Sequence, residues 1–180
     1  NINTIQGLLA HTRAWQPGLF RLIDRLHDSS KNGELKLSEN NWRMDLDLPP
    51  RSSDGQSDLF VMVHNGSKSD MTIEVEIVTA HGEPEVQTLR VPCRKTETKQ
   101  IITLDGLLDA ALVLWIGVAW PSTVSGPHPV QVTINSDDGI TLSSTIVHTT
   151  LTSSLHPESA GVRMTDAAEA VRKLALSVSE

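Results

Sequence analysis

The ten residues from Ala111 to Trp120, Ala-Leu-Val-Leu-Trp-Ile-Gly-Val-Ala-Trp, carry no charged or strongly polar side chain. A bilayer span takes about twenty apolar residues, so the run is too short to cross a membrane. It reads instead as a strand buried on both faces, or a short helical turn running into one. The core of the chain is expected there.

Around this run the apolar residues recur at every second position. Trp42, Met44, Leu46 and Leu48 point one way while Arg43, Asp45 and Asp47 point the other, and Pro49-Pro50 ends the strand before a polar loop from Arg51 to Ser57. Leu59 to His64 is apolar on both faces and belongs inside a sheet, with Asn65-Gly66 as a hairpin turn after it. Met71, Ile73, Val75 and Ile77 then alternate with Glu74 and Glu76; His81-Gly82-Glu83-Pro84 turns the chain into Leu89, Val91 and Cys93. Ile101 to Leu104 returns to the core, and Asp105 caps a one-turn helix before the central strand. A loop containing Gly126-Pro127-His128-Pro129 leads to Val130, Val132 and Ile134, and Asp137-Asp138-Gly139 marks a hairpin into Ile140–His148.

The two ends follow a helical period instead. Asn3 and Gln6 form a capping box ahead of Ile5, Leu8, Leu9, Thr12 and Trp15. After a break at Gln16-Pro17, the residues Leu19, Leu22, Ile23 and Leu26 lay down a second stripe that ends before Asp28-Ser29-Ser30. Thr165 caps a closing helix striped by Ala167, Ala170, Val171, Leu174 and Val178. The expected fold is thus mainly β: an antiparallel β-sandwich, Ig-like or jelly-roll-like, of about seven or eight strands. Its divisions are an N-terminal helical arm over 1–30, the sandwich over 33–150, a linker over 151–163 and a C-terminal helix over 164–180.

With 180 residues the chain fits one domain whose core suffices without metal or disulfide. A net charge of −7 argues against a surface built throughout for phosphate backbones. The single cysteine, Cys93, reads as an inert core thiol, and with no signal peptide at the start a reducing, cytoplasmic or virion, location is expected. The absent initiator methionine implies processing, trimming or excision from a longer chain. Asn65-Gly66-Ser67 is formally a glycosylation sequon, here read as a turn.

Chemistry is sparse. The P-loop, the dinucleotide fingerprint, His-Glu-x-x-His, Cys-x-x-Cys and Gly-x-Ser-x-Gly are all missing, and the seven histidines are scattered. His64 and His148, at strand ends, are the pair that could meet. The acidic pairs Asp45/Asp47, Glu74/Glu76 and Asp137/Asp138 suit a cation or acid–base work, but solvated strand faces use the same spacing. Arg90, Arg94, Lys95 and Lys99 form the basic cluster of a hairpin, a candidate contact for nucleic acid, anionic lipid or an acidic partner.

These features imply no enzyme, cofactor, metal or small-molecule substrate. They imply a non-catalytic structural or assembly protein, such as a viral coat, matrix or tail component, that forms homo-oligomers or docks on other protein subunits. The candidate oligomer contacts are Leu8, Leu9, Trp15, Leu19, Leu22, Ile23, Leu26, Val171 and Leu174. The alternative is an intracellular adaptor or accessory β-sandwich module that binds a protein partner; a hydrolase or metal-dependent enzyme comes after both.

Overall fold

The computed structural model describes residues 17–52, 55–93, 104–109, 111–121, 125–152 and 161–166. Two helices and nine strands lie within them: α1 (Pro17–Lys31), β1 (Trp42–Asp47), β2 (Arg51–Ser52), β3 (Gln56–Asn65), β4 (Met71–Thr79), β5 (Glu85–Val91), α2 (Leu104–Asp109), β6 (Ala111–Ala119), β7 (Gly126–Ser136), β8 (Thr141–Leu151) and β9 (Gly161–Asp166). The strands form a four-stranded sheet in the order β1-β3-β6-β9 and a five-stranded sheet in the order β2-β8-β7-β4-β5. Every ladder is antiparallel except the short pairing of β2 with β8.

Two apolar clusters explain the two kinds of strand. The larger one joins Trp42, Leu59, Val61, Val63, Leu112, Leu114, Ile116 and Val118 of the first sheet to Ile73, Val75, Ile77, Val130, Val132 and Ile134 of the second. The other lies on the far face of the first sheet, where Phe60, Met62, Ala111 and Val113 meet Leu19, Leu22, Ile23 and Leu26 of α1 and Leu104 and Leu107 of α2. The inner strands β3 and β6 are therefore covered on both sides, and both faces of them have to be apolar. The second sheet has water on its outer face, so β4, β5, β7 and β8 alternate.

α1 extends past the expected stop at Asp28. Gly33 at φ +68° closes it in a Schellman arrangement: the Gly33 amide donates to the Ser30 carbonyl (3.2 Å) and the Glu34 amide to Ser29 (2.8 Å). Two serines inside the last turn are tolerated because this glycine, rather than their polarity, sets the end. Ser30 also caps the neighbouring helix, accepting the Leu104 amide at 2.9 Å. α2 thus begins one residue before Asp105, which lies inside the helix and not at its cap.

Several other expectations are corrected. Asn65-Gly66 is no hairpin, since β3 and β4 belong to different sheets. The buried Asn65 side chain organises the crossing loop, donating to the Ser69 and Val91 carbonyls (3.0 and 3.2 Å) and accepting the Ser67 amide (2.9 Å), which leaves no exposed glycosylation site. Gly66 passes so close to Asn41 that a β-carbon there would sit 2.6 Å from its carbonyl oxygen. The loop expected over Arg51–Ser57 contains β2 and the start of β3. Gly126–Pro129 is the first part of β7; both prolines sit beyond Val130, the last residue facing β4, so no second neighbour asks for their missing N–H groups.

At the C-terminal side, Gly161–Asp166 is neither the end of a linker nor the start of a helix capped by Thr165. It is β9, paired with β6 through Ile116↔Met164 and Trp115↔Thr165. Val162 and Met164 alternate onto the larger apolar cluster, and that two-residue period outweighs the capping signal at Thr165. The rest of the expected helix, 167–180, and the expected first helix up to Gln16 lie outside the described residues.

Candidate functional site

Two histidines, a tryptophan and a chain of hydroxyls gather at the end of the two sheets where β4 finishes and β7 starts. Thr79 faces Val130 in the β4–β7 ladder. Continuing that register by two residues brings His81 opposite His128, on the same side as the buried Val130. Their rings lie 5.0 Å apart at 77°, and both meet the indole of Trp120, at 6.4 Å for His81 and 5.7 Å for His128. His128 Nε2 donates to the Ser125 carbonyl at 3.2 Å. Trp120 is 1% exposed while the two imidazoles are half-buried, so the histidines form the outer surface of this aromatic group.

Beneath the indole runs a chain of hydroxyls with a single consistent direction. Trp120 Nε1–H donates to Ser57 Oγ (2.8 Å), Ser57 donates to Ser52 Oγ (2.6 Å), and Thr149 Oγ1 donates to the Pro49 carbonyl (2.7 Å). The remaining contact, Ser52 to Thr149 at 2.9 Å, must then have Ser52 as donor. Each hydroxyl gives one proton and receives one, and Ser52, Ser57 and Thr149 are all buried. The chain ties β3 of the first sheet to β2 and β8 of the second. Ser57 gives its proton to another hydroxyl, not to an imidazole, so this arrangement does not activate a nucleophile. What it does is hold the two sheets in register at this end.

The two imidazoles have the soft nitrogen donors that transition metals prefer, but a closed zinc site takes four ligands. Among the described residues no group of three His, Cys, Asp or Glu side chains converges. His64 and His148 do not meet: His64 is buried toward α2, where its Nδ1 donates to the Leu107 carbonyl (2.9 Å), whereas His148 is exposed on β8 of the other sheet. The site at His81, Trp120 and His128 is invisible to sequence spacing, because the three residues come from separate stretches of the chain, His128 from the start of β7. Only the β4–β7 register places them together.

The acidic pairs are already neutralised or solvated. Asp45 takes a two-pronged contact from Arg43 (2.8 and 2.9 Å). Asp47, whose side chain is 6% exposed, receives Arg21 (2.9 Å) and Arg25 (3.5 Å) from α1, and Gly18 lets the helix approach it closely. Glu74 is exposed on the outer face of β4, and Asp138 accepts the Ser136 hydroxyl in the β7–β8 turn.

Of the basic cluster, Arg90 is described: it is exposed and pairs with Asp70 at 3.0 Å. Arg94, Lys95 and Lys99 lie outside the described residues, as do Leu8, Leu9, Trp15, Val171 and Leu174. Leu19, Leu22, Ile23 and Leu26, the remaining candidate oligomer contacts, are 0–1% exposed on their own sheet and offer no surface to a partner. Their apolar stripe is used entirely within the chain. No described helix is long and apolar enough to cross a membrane. Compared with known proteins, the sequence matches no family model and no curated relative.

Proposed function

We propose that this protein is a non-catalytic structural or assembly component, built on an open β-sandwich of Ig-like or jelly-roll-like type, that joins copies of itself or other protein subunits. The supporting observation is where its exposed oily residues lie: Ile140, Ile146 and Val86, at 61%, 57% and 47% exposure, all border or sit on the five-stranded sheet. Ile146 lies within β8, the outermost long strand, and Ile140 immediately precedes it. Exposed apolar side chains on the outer face of a sheet are the raw material of a protein–protein contact. The buried polar groups, by contrast, spend their hydrogen bonds within the frame.

An accessory module that recognises a protein partner through the loops at one end is the second reading. It draws its support from α1, whose apolar face is used at home, so that this helix needs no neighbour. Light scattering coupled to size exclusion, run from low to high micromolar concentration, separates the two. The assembly reading expects a mass that rises with concentration and is retained when residues 1–16 are removed. A constant monomer mass overturns self-association and favours the module.

A further inference from the structure

His81 and His128 reach the rim of the larger apolar cluster from the end of β4 and the start of β7, and the fold holds both in place. His128 lies between Pro127 and Pro129, whose rings fix their own φ on either side of it. It pairs with Thr149 of β8, itself bound to the Pro49 carbonyl. Trp120, buried and anchored through its indole N–H to Ser57, is the floor on which both rings rest. Both imidazoles are half-buried, so each remains open to solvent in part.

Their spacing is that of two ligands on one ion. A transition metal bound at about 2.0–2.1 Å from an imidazole nitrogen lies about 3.2 Å from the ring centre, so two rings at about 90–109° around it stand about 4.5–5.2 Å apart. The observed separation is 5.0 Å. His128 is also oriented as ligating histidines usually are: its Nε2–H donates to the Ser125 carbonyl (3.2 Å), which in the neutral ring leaves the Nδ1 lone pair for an ion. Two protein ligands leave the other coordination positions to water or to a ligand from solution. Imidazole with water suits copper(II) best among the common divalent ions, with nickel and zinc behind it. A chain of net charge −7 also draws cations toward it.

We propose that His81 and His128 form an open, two-imidazole site for a divalent transition metal, copper(II) above all, beside the indole of Trp120. The site lies within one chain and is independent of whether copies associate.

Titration of the full chain with copper(II) chloride, followed by calorimetry and by NMR of the indole N–H signals, tests this. The paramagnetic ion is expected to broaden the Trp120 signal ahead of those of Trp42, which sits at the other end of β3, and Trp115, which packs on the far face of the first sheet. His81→Ala and His128→Ala are each expected to weaken copper binding at least tenfold. His148→Ala, which removes an exposed imidazole from the outer face of the five-stranded sheet, leaves it unchanged. Nickel and zinc bind the unaltered protein less tightly than copper. Because the broadening is read on the unaltered protein, it decides the matter even where a variant fails to fold. Broadening that begins away from Trp120, or folded variants at 81 and 128 that bind copper as the wild type does, overturns the site and leaves an adventitious ion only. A wild-type chain that takes up no copper overturns it as well.

Discussion

A buried hydroxyl is stabilising only while its partners remain, and Ser57 shows how tightly that binds this molecule. Its Oγ accepts the Trp120 indole N–H and donates to Ser52, so Ser57→Ala leaves one buried donor and one buried acceptor short. The expected cost is about 1–3 kcal/mol, read as a lower denaturant midpoint, with tryptophan fluorescence, to which Trp120 contributes, as one readout of the transition. Asp70 gives a second residue-scale prediction. The Cys93 backbone amide, and after it the Arg90 guanidinium, lower its carboxyl from 3.8 to about 2. Because the folded value is the lower one, the stabilising contribution is complete above 3.8 and is lost as pH falls toward about 2. Asp70→Asn is therefore expected to flatten the acid side of the stability profile in that window. In a carboxyl NMR titration, Arg90→Ala should raise the midpoint only part of the way, since the Cys93 amide remains.

At the scale of the element, α1 illustrates how an amphipathic stripe is resolved by what lies next to it. Leu19, Leu22, Ile23 and Leu26 repeat at helical spacing, which in the sequence is equally compatible with docking on a neighbour and with packing at home. The far face of β3 and β6 settles the matter, because Phe60, Met62 and Val113 require a cover. Leu22→Ala is expected to cost about 2–5 kcal/mol by opening a cavity between α1 and this sheet, measured by chemical denaturation. A loss of that size accompanied by unchanged association places the stripe in the fold and not in an interface. The C-terminal side shows the opposite case. Thr165 carries a capping signal, yet Val162 and Met164 gain more by extending the sheet beside β6, and the local signal gives way.

For the whole molecule, the difference between continuous and alternating apolar strands was the most informative feature of the chain. Ala111–Trp120 and Leu59–Val63 are apolar on both faces because they are the inner strands of a sheet covered by helices on one side and a second sheet on the other. The alternation of β4, β7 and β8, the Asp138-Gly139 turn and the span of α1 up to Asp28 could likewise be read directly, since they depend on neighbours a few residues away. The sequence by itself thus determined the class of fold and most of its elements. Strand order, the meeting of His81, Trp120 and His128, and the hydroxyl chain from Trp120 to Pro49 were decided by tertiary structure alone. Each joins residues far apart in the chain, and such pairings are set by which faces have to be buried together, a condition that no local period or spacing records.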